Sequence, residues 1–275
     1  MKVFSAFLAL ILFSYPICKA AMEPNETRTY KAIGETELSL HIFHPPGHKE
    51  GASYPAIVFF FGGGWVSGSP EQFYPQSRHL ASRGMLAICA DYRTENRHGT
   101  TPAESVKDGK SAMRWVREHA EELGIDPDRL AAGGGSAGGQ VAAATALLDG
   151  FNEESEDTTI SCRPRALVLF NPVIDNGPEG YGYPRVKDYW EAFSPLHNVQ
   201  KGAPPTLLML GTADELVPVA TAESLAEKLR SVGTQCQVVL YDDQPHGFFN
   251  EAKYAETLAE MDRFLVSLGY LEPES

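Results

Sequence analysis

The chain has no internal repeat and no low-complexity tract, which excludes a solenoid, a propeller or a disordered tail as its main architecture. It also lacks an excess of positive charge. Lys and Arg number 23 against 36 Asp and Glu, giving a formal net charge of −13, so nucleic acid and anionic membrane surfaces would repel it. Cysteine is scarce, with four in 275 residues, and the spacing of Cys89, Cys162 and Cys236 suits no metal site. No Lys-Ser/Thr follows the glycine run Gly62-Gly63-Gly64, so that run is not a nucleotide P-loop. The histidines at 41, 44 and 48 do not compensate. His41 and His44 are an odd number of residues apart on a strand pattern and point to opposite faces.

The apolar run Val3 to Phe13 is too short to cross a bilayer. With Lys2 before it and Pro16, Cys18 and Ala20 after it, residues 1–20 read as a secretory signal peptide cut near Ala20, with an uncleaved anchor as the alternative. That predicts a periplasmic or secreted protein of residues 21–275. Three cysteines then remain, an odd number, with Cys89 inside the apolar run Met85–Ala90 expected as a buried thiol.

What is present is an alternation of strand and helix patterns. Glu37–Phe43 alternates with period two, and Ala56–Phe61 is continuously apolar, as a strand covered on both faces should be. Thr101-Pro102-Ala103-Glu104 opens a helix with a capping box and Pro at its first position, which Gly124 is expected to end. Strands follow at 166–170, 206–210 and 236–241, with helices at 220–232 and 252–268. This rhythm predicts an α/β fold with a mostly parallel central sheet flanked by helices, its functional residues at the C-terminal ends of the strands. Residues 176–200, rich in Gly, Pro and aromatics, break the rhythm and read either as a small lid insertion or as a long packed connection.

The chemistry centres on Leu130–Val141, a small-residue strand, a glycine turn and a helix running from Val141 to Leu148. Within it Gly134-x-Ser136-x-Gly138 has the spacing of a nucleophile elbow, in which a serine sits on a turn too tight for flanking side chains. A serine hydroxyl needs a base, and the base needs an orienting group. Asp214 directly follows the 206–210 strand, and His246 lies in the loop after the last strand, so Ser136, Asp214 and His246 form the predicted triad. Asp175, also at a strand end, is the rival acid. Gly63 and Gly64, at the end of the apolar strand, and Ala137 are the expected backbone donors of an oxyanion hole.

Phe61-Gly62-Gly63-Gly64-Trp65, Gly134-Gly135-Ser136-Ala137-Gly138-Gly139, Gly211-Thr212-Ala213-Asp214, Pro245-His246-Gly247-Phe248 and Asp126-Pro127-Asp128-Arg129 together resemble the α/β-hydrolase superfamily. Within it the likeness is to hormone-sensitive-lipase-like esterases and bacterial acetyl xylan and feruloyl esterases, over roughly Tyr30 to Leu268. The resemblance implies a serine carboxylesterase that uses no cofactor and no metal, working through an acyl-enzyme on short acyl esters, with acetyl on carbohydrate as the expected substrate. Phe61, Trp65, Gly135, Asn171 and Trp190 are the residues expected at the substrate. Phe61 stands where the family's oxyanion loop usually begins with His, so a hydrogen bond bracing that loop should be lost. The long N-terminal cap of the lipase-like branch is expected to be missing, leaving an open cleft. A feruloyl esterase, a short-chain lipase, a peptidase of prolyl-oligopeptidase type or a silent binding protein on the same fold are the alternatives.

Overall fold

The computed structural model describes residues 23–274, so the leader reading of residues 1–20 falls outside the described residues. Eight strands form one sheet in the order β1-β2-β4-β3-β5-β6-β7-β8. They are β1 (Glu26–Ile33), β2 (Thr36–Phe43), β3 (Tyr54–Phe60), β4 (Leu86–Ala90), β5 (Ile125–Gly135), β6 (Leu167–Phe170), β7 (Thr206–Gly211) and β8 (Cys236–Tyr241). β1 and β2 pair antiparallel, and β2 also meets β4 antiparallel, while the remaining neighbours are parallel. The helical elements are α1 (Tyr74–Ser82), α2 (Glu95–His98), α3 (Pro102–Glu118), α4 (Ala120–Leu123), α5 (Ala137–Leu147), α6 (Tyr183–Val186), α7 (Trp190–Phe193), α8 (Val219–Ser231) and α9 (Tyr254–Ser267). This is the α/β-hydrolase arrangement, a mostly parallel sheet with helices on both faces.

Side-chain alternation along β3 divides the interior into two cores. Ala56, Val58 and Phe60 face one layer with residues of α3 and α5, and Ile57 and Phe59 face the other with residues of α1 and α9. All eleven residues of α5 are buried, so its stability comes from packing on both flanks rather than from an amphipathic stripe. The chain steps from β3 outward to β4, then returns to place β5 on β3's other side. That reversal makes the C-terminal ends of β3 and β5 the switch point where doubly wound sheets bind their ligands.

Several boundaries differ from the sequence reading. β1 carries no clear alternation in the sequence, and its register on β2 shifts between Thr29 and Lys31. α3 keeps its capping box but closes at His119, and Gly124 in the left-handed region terminates the separate turn α4. α5 begins at Ala137 rather than Val141, because contact with the sheet outweighs the poor helix propensity of Gly138 and Gly139. Residues 176–200 form α6, α7 and a 3-10 turn at Pro195–His197, and Val186, Phe193 and Ser194 are fully buried. These three residues anchor the segment in the core, while most of residues 178–192 keep solvent access. Cys89, Cys162 and Cys236 are buried free thiols, and burial pushes the Cys89 thiol up to about 12.

Candidate active site

Ser136 occupies the turn between β5 and α5 with φ 54° and ψ −122°, a conformation that only a closely determined surrounding holds for a residue with a side chain. The determinant is main-chain crowding. A Cβ on Gly134 would strike the Gly138 carbonyl, and a Cβ on Gly138 would strike the carbonyl oxygens of Phe60 and Phe61. The two glycines thus let the elbow lie directly against the end of β3.

Asp214 follows β7 and His246 follows β8, as successive parallel strand ends require. The His246 ring spans the two partners. Its Nε2 lies 2.8 Å from Ser136 Oγ and its Nδ1 lies 2.7 Å from Asp214 Oδ2. The Asp214 side chain is wholly buried, and its Oδ1 accepts the N–H groups of Leu216 and Val217, each at 2.9 Å. The carboxylate therefore has fixed orientation and calls for Nδ1–H on the ring, which leaves the Nε2 lone pair facing the serine. Ser136 and His246 retain partial solvent access, so the reacting edge is open while the orienting group is sealed. The rival Asp175 is elsewhere, its Oδ1 accepting Gly177 N–H and standing 3.9 Å from His197.

The glycine loop after β3 abuts the elbow, since a Cβ built on Gly62 would stand 3.2 Å from Ser136 Cβ. Gly62 N–H donates to Gln72 Oε1 (2.6 Å), the Phe61 carbonyl accepts from Tyr92 Oη (2.6 Å), and the Gly64 carbonyl accepts from Arg185 Nη1 (2.6 Å). Gly63 O accepts Val66 N–H and Ser67 N–H. Gly63, Gly64 and Ala137 are left with N–H groups that donate to nothing among the described residues. Free donors beside a serine are what a developing oxyanion requires. The brace that Phe61 cannot supply comes from Gln72, Tyr92 and Arg185. Tyr92 was signalled only by its place just past β4, and Gln72 and Arg185 by nothing in the sequence pattern.

The residues expected at the substrate are mostly placed otherwise. Phe61 is 1% exposed and stacks on Tyr92, while Trp65 is 1% exposed and donates from Nε1 to Gln140. Both are packing residues behind the loop, a correction that follows from the chain turning inward after β3. Gly135 is buried against Phe249 and Phe73 and offers no surface. Asn171 is fully buried and touches the histidine loop. Only Trp190 remains half-exposed, packed edge-on against His197. A cavity of about 220 Å³ lies between residues 173–181 and 216–221. Val173 at its wall donates to the Ser136 carbonyl and Val217 to Asp214 Oδ1, but none of Ser136, Asp214 and His246 lines it. A larger cavity of about 520 Å³ around His79, Arg83 and Asp262 includes none of them.

Among the described residues there is no cluster of three or more His, Cys, Asp or Glu side chains able to hold a metal, and no helix long and apolar enough to cross a membrane.

Known proteins resemble this chain in sequence and fold. A family model described as BD-FAE matches residues 40–178, and one described as the prolyl oligopeptidase family matches residues 166–269. The probable carboxylic ester hydrolase LipM of Mycobacterium tuberculosis is 29% identical over 259 residues, covering 83% of this chain and 58% of that protein. Carboxylesterase NlhH of the same species is 36% identical over 124 residues, 45% of this chain and 38% of the relative. The chain thus spans only about two-fifths to three-fifths of the length of these curated relatives. Solved structures cover more. Thermogutta terrifontis esterase 2, phosphoramylated by tabun, superposes with a TM-score of 0.87 at 44% identity, covering 90% of this chain and 96% of that one. Its propionate-bound form gives 0.87 at 43% identity, with 92% and 98% covered. With the BD-FAE model matching half of its length and esterase structures superposing over most of it, the chain belongs to the BD-FAE family of α/β-hydrolase serine esterases.

Proposed function

We propose that this protein is an exported serine carboxylesterase that cleaves short-acyl esters through an acyl-enzyme. The observation that carries the reading is the continuous relay Ser136–His246–Asp214, at 2.8 and 2.7 Å, set beside the unused N–H groups of Gly63, Gly64 and Ala137. Ser136 Oγ attacks the ester carbonyl while His246 Nε2 takes its proton, and Asp214 stabilises the imidazolium that forms. The tetrahedral oxyanion takes the three backbone donors, and its collapse expels the alcohol, which receives the proton from Nε2. Water then repeats the sequence on the acyl-serine and releases the acid.

The acyl group proposed is a short one, of acetyl to butyryl size. Esterase 2 of Thermogutta terrifontis has propionate-bound and butyrate-bound structures, which supports the same range here. For the alcohol, the proposal is an acetylated sugar. With Phe61 and Trp65 in the core, it rests on the half-exposed aromatics Tyr181, Tyr183, Tyr189 and Trp190. The peptidase alternative draws on the prolyl oligopeptidase match to residues 166–269.

A p-nitrophenyl ester series from acetate to octanoate, run beside acetylated xylan, feruloylated arabinose and an aminoacyl p-nitroanilide, tests the acyl, alcohol and peptidase readings together, and cell fractionation tests export. The expected result is a rate maximum at two to four acyl carbons and no anilide cleavage. Ser136→Ala should abolish both turnover and labelling by a fluorophosphonate while leaving the circular dichroism spectrum intact. Undiminished turnover in that variant removes the serine mechanism.

A further inference from the structure

Asn171 closes β6 in the left-handed region (φ 35°), a conformation Asn adopts more readily than most side-chain-bearing residues. The kink aims a fully buried carboxamide at the loop that carries His246. One end of the amide is fixed without ambiguity. Gly247 N–H can only donate, so the atom 3.2 Å from it must be the oxygen, Oδ1. The NH2 group is thereby forced toward the ring and lies 3.3 Å from His246 Nε2, the same nitrogen that faces Ser136. Nε2 has a single lone pair when neutral and is a donor when protonated. An amide N–H held beside it favours the neutral ring and opposes the imidazolium.

We propose that Asn171 is a positioning residue for the esterase chemistry, fixing the His246 loop through Gly247 N–H and holding the ring as the Nδ1–H tautomer by turning a donor toward Nε2. The inference rests on the reading of His246 as the general base. The ionisable group bonded to the ring is Asp214, from the loop after β7. Glu215 beside it, and Asp242 and Asp243 ahead of His246, are solvent-exposed and make no ion pair with the ring among the described residues. Asp214 holds the ring from the Nδ1 side and Asn171 faces it from the Nε2 side.

Two substitutions separate this role from packing. Asn171→Gly removes the amide and retains a residue at ease with positive φ. Asn171→Asp keeps shape and the acceptor for Gly247 N–H, but turns a carboxylate oxygen toward Nε2. The pH at which kcat/KM falls on the acid side should rise in the order wild type, Gly variant, Asp variant, with roughly 1 pH unit or more for Asp. An NMR titration of the His246 ring in the Ser136→Ala background reads the same order without turnover. A purely structural Asn171 would lower rates uniformly and leave the acid limb where it is. An unmoved limb in the Asp variant, or in the Gly variant should the Asp variant not fold, overturns the proposal. If the wild type lacks Ser136-dependent hydrolysis, the esterase reading fails, while the NMR series still decides the role of Asn171.

Discussion

Replacing Asp214 by Asn probes the relay at the point where the geometry dictates a definite answer. The Asp214 Oδ1 atom is claimed by two backbone donors, Leu216 N–H and Val217 N–H, each at 2.9 Å. Neither can reverse its role, so an asparagine must put its oxygen there and its NH2 toward His246 Nδ1. Two donors cannot share that contact. The ring therefore shifts to the Nε2–H tautomer, and the nitrogen 2.8 Å from Ser136 Oγ loses the lone pair that would accept the serine proton. The oxyanion donors and the fold are untouched, because Asn is isosteric and the buried site loses a charge rather than gaining one. In a serine protease triad the same tautomer fault costs about 10,000-fold in kcat. Each factor of ten is 1.36 kcal/mol, so the expected loss here is about 5.5 kcal/mol of transition-state stabilisation. Stopped assays with p-nitrophenyl acetate at pH 7 measure it, and a thermal melt of the variant confirms that the fold persists. A variant that keeps more than about a tenth of the wild-type rate would refute the reasoning and transfer the orienting role to another carboxylate.

Gly138→Ala should destabilise the fold by about 1–3 kcal/mol in urea unfolding, because its methyl meets two main-chain carbonyls that cannot swing aside; a neutral effect would contradict the close approach of elbow and β3. Lys110 is 1% exposed and donates to the Leu148 and Gly150 carbonyls, and burial lowers its ammonium from 10.5 to about 8. Between those two pH values the unfolded chain holds the proton that the folded chain has released, so this residue makes stability rise with pH. Wild type should accordingly gain on the order of 3 kcal/mol relative to Lys110→Met from pH 8 to 10.5, on top of a pH-independent loss from the two abandoned carbonyls; parallel stability curves would refute this.

The strand-end logic made the three polar residues legible because a parallel sheet delivers successive C-terminal ends to one rim, and Gly-x-Ser-x-Gly marks a turn whose crowding only glycine tolerates. Other features had no comparable signature. β1 is polar, with Lys31 bound into a buried cluster with Asp108 and Glu153, and its bulge hides the period-two pattern. Phe61 and Trp65 resemble exposed aromatics in sequence, but the direction of a side chain after the last residue of a strand is set by the turn, and Trp65 at φ 60° points inward. Asn171 could be placed at a strand end, whereas its choice of the histidine loop depends on a local kink and a single backbone donor. Residues 176–200 look loose in composition, yet their few apolar side chains fill the space above α5.

The contact of Gly138 with the carbonyls of Phe60 and Phe61 joins the attacking group and the anion cradle backbone to backbone, with no side chain between them to flex or swap. Neither half can drift without dragging its neighbour, so the two functions are inherited as one rigid casting. Warming such a molecule leaves its catalytic alignment intact until the scaffold itself gives way, and sequence drift elsewhere can reshape the mouth of the cleft without retuning the machinery beneath it.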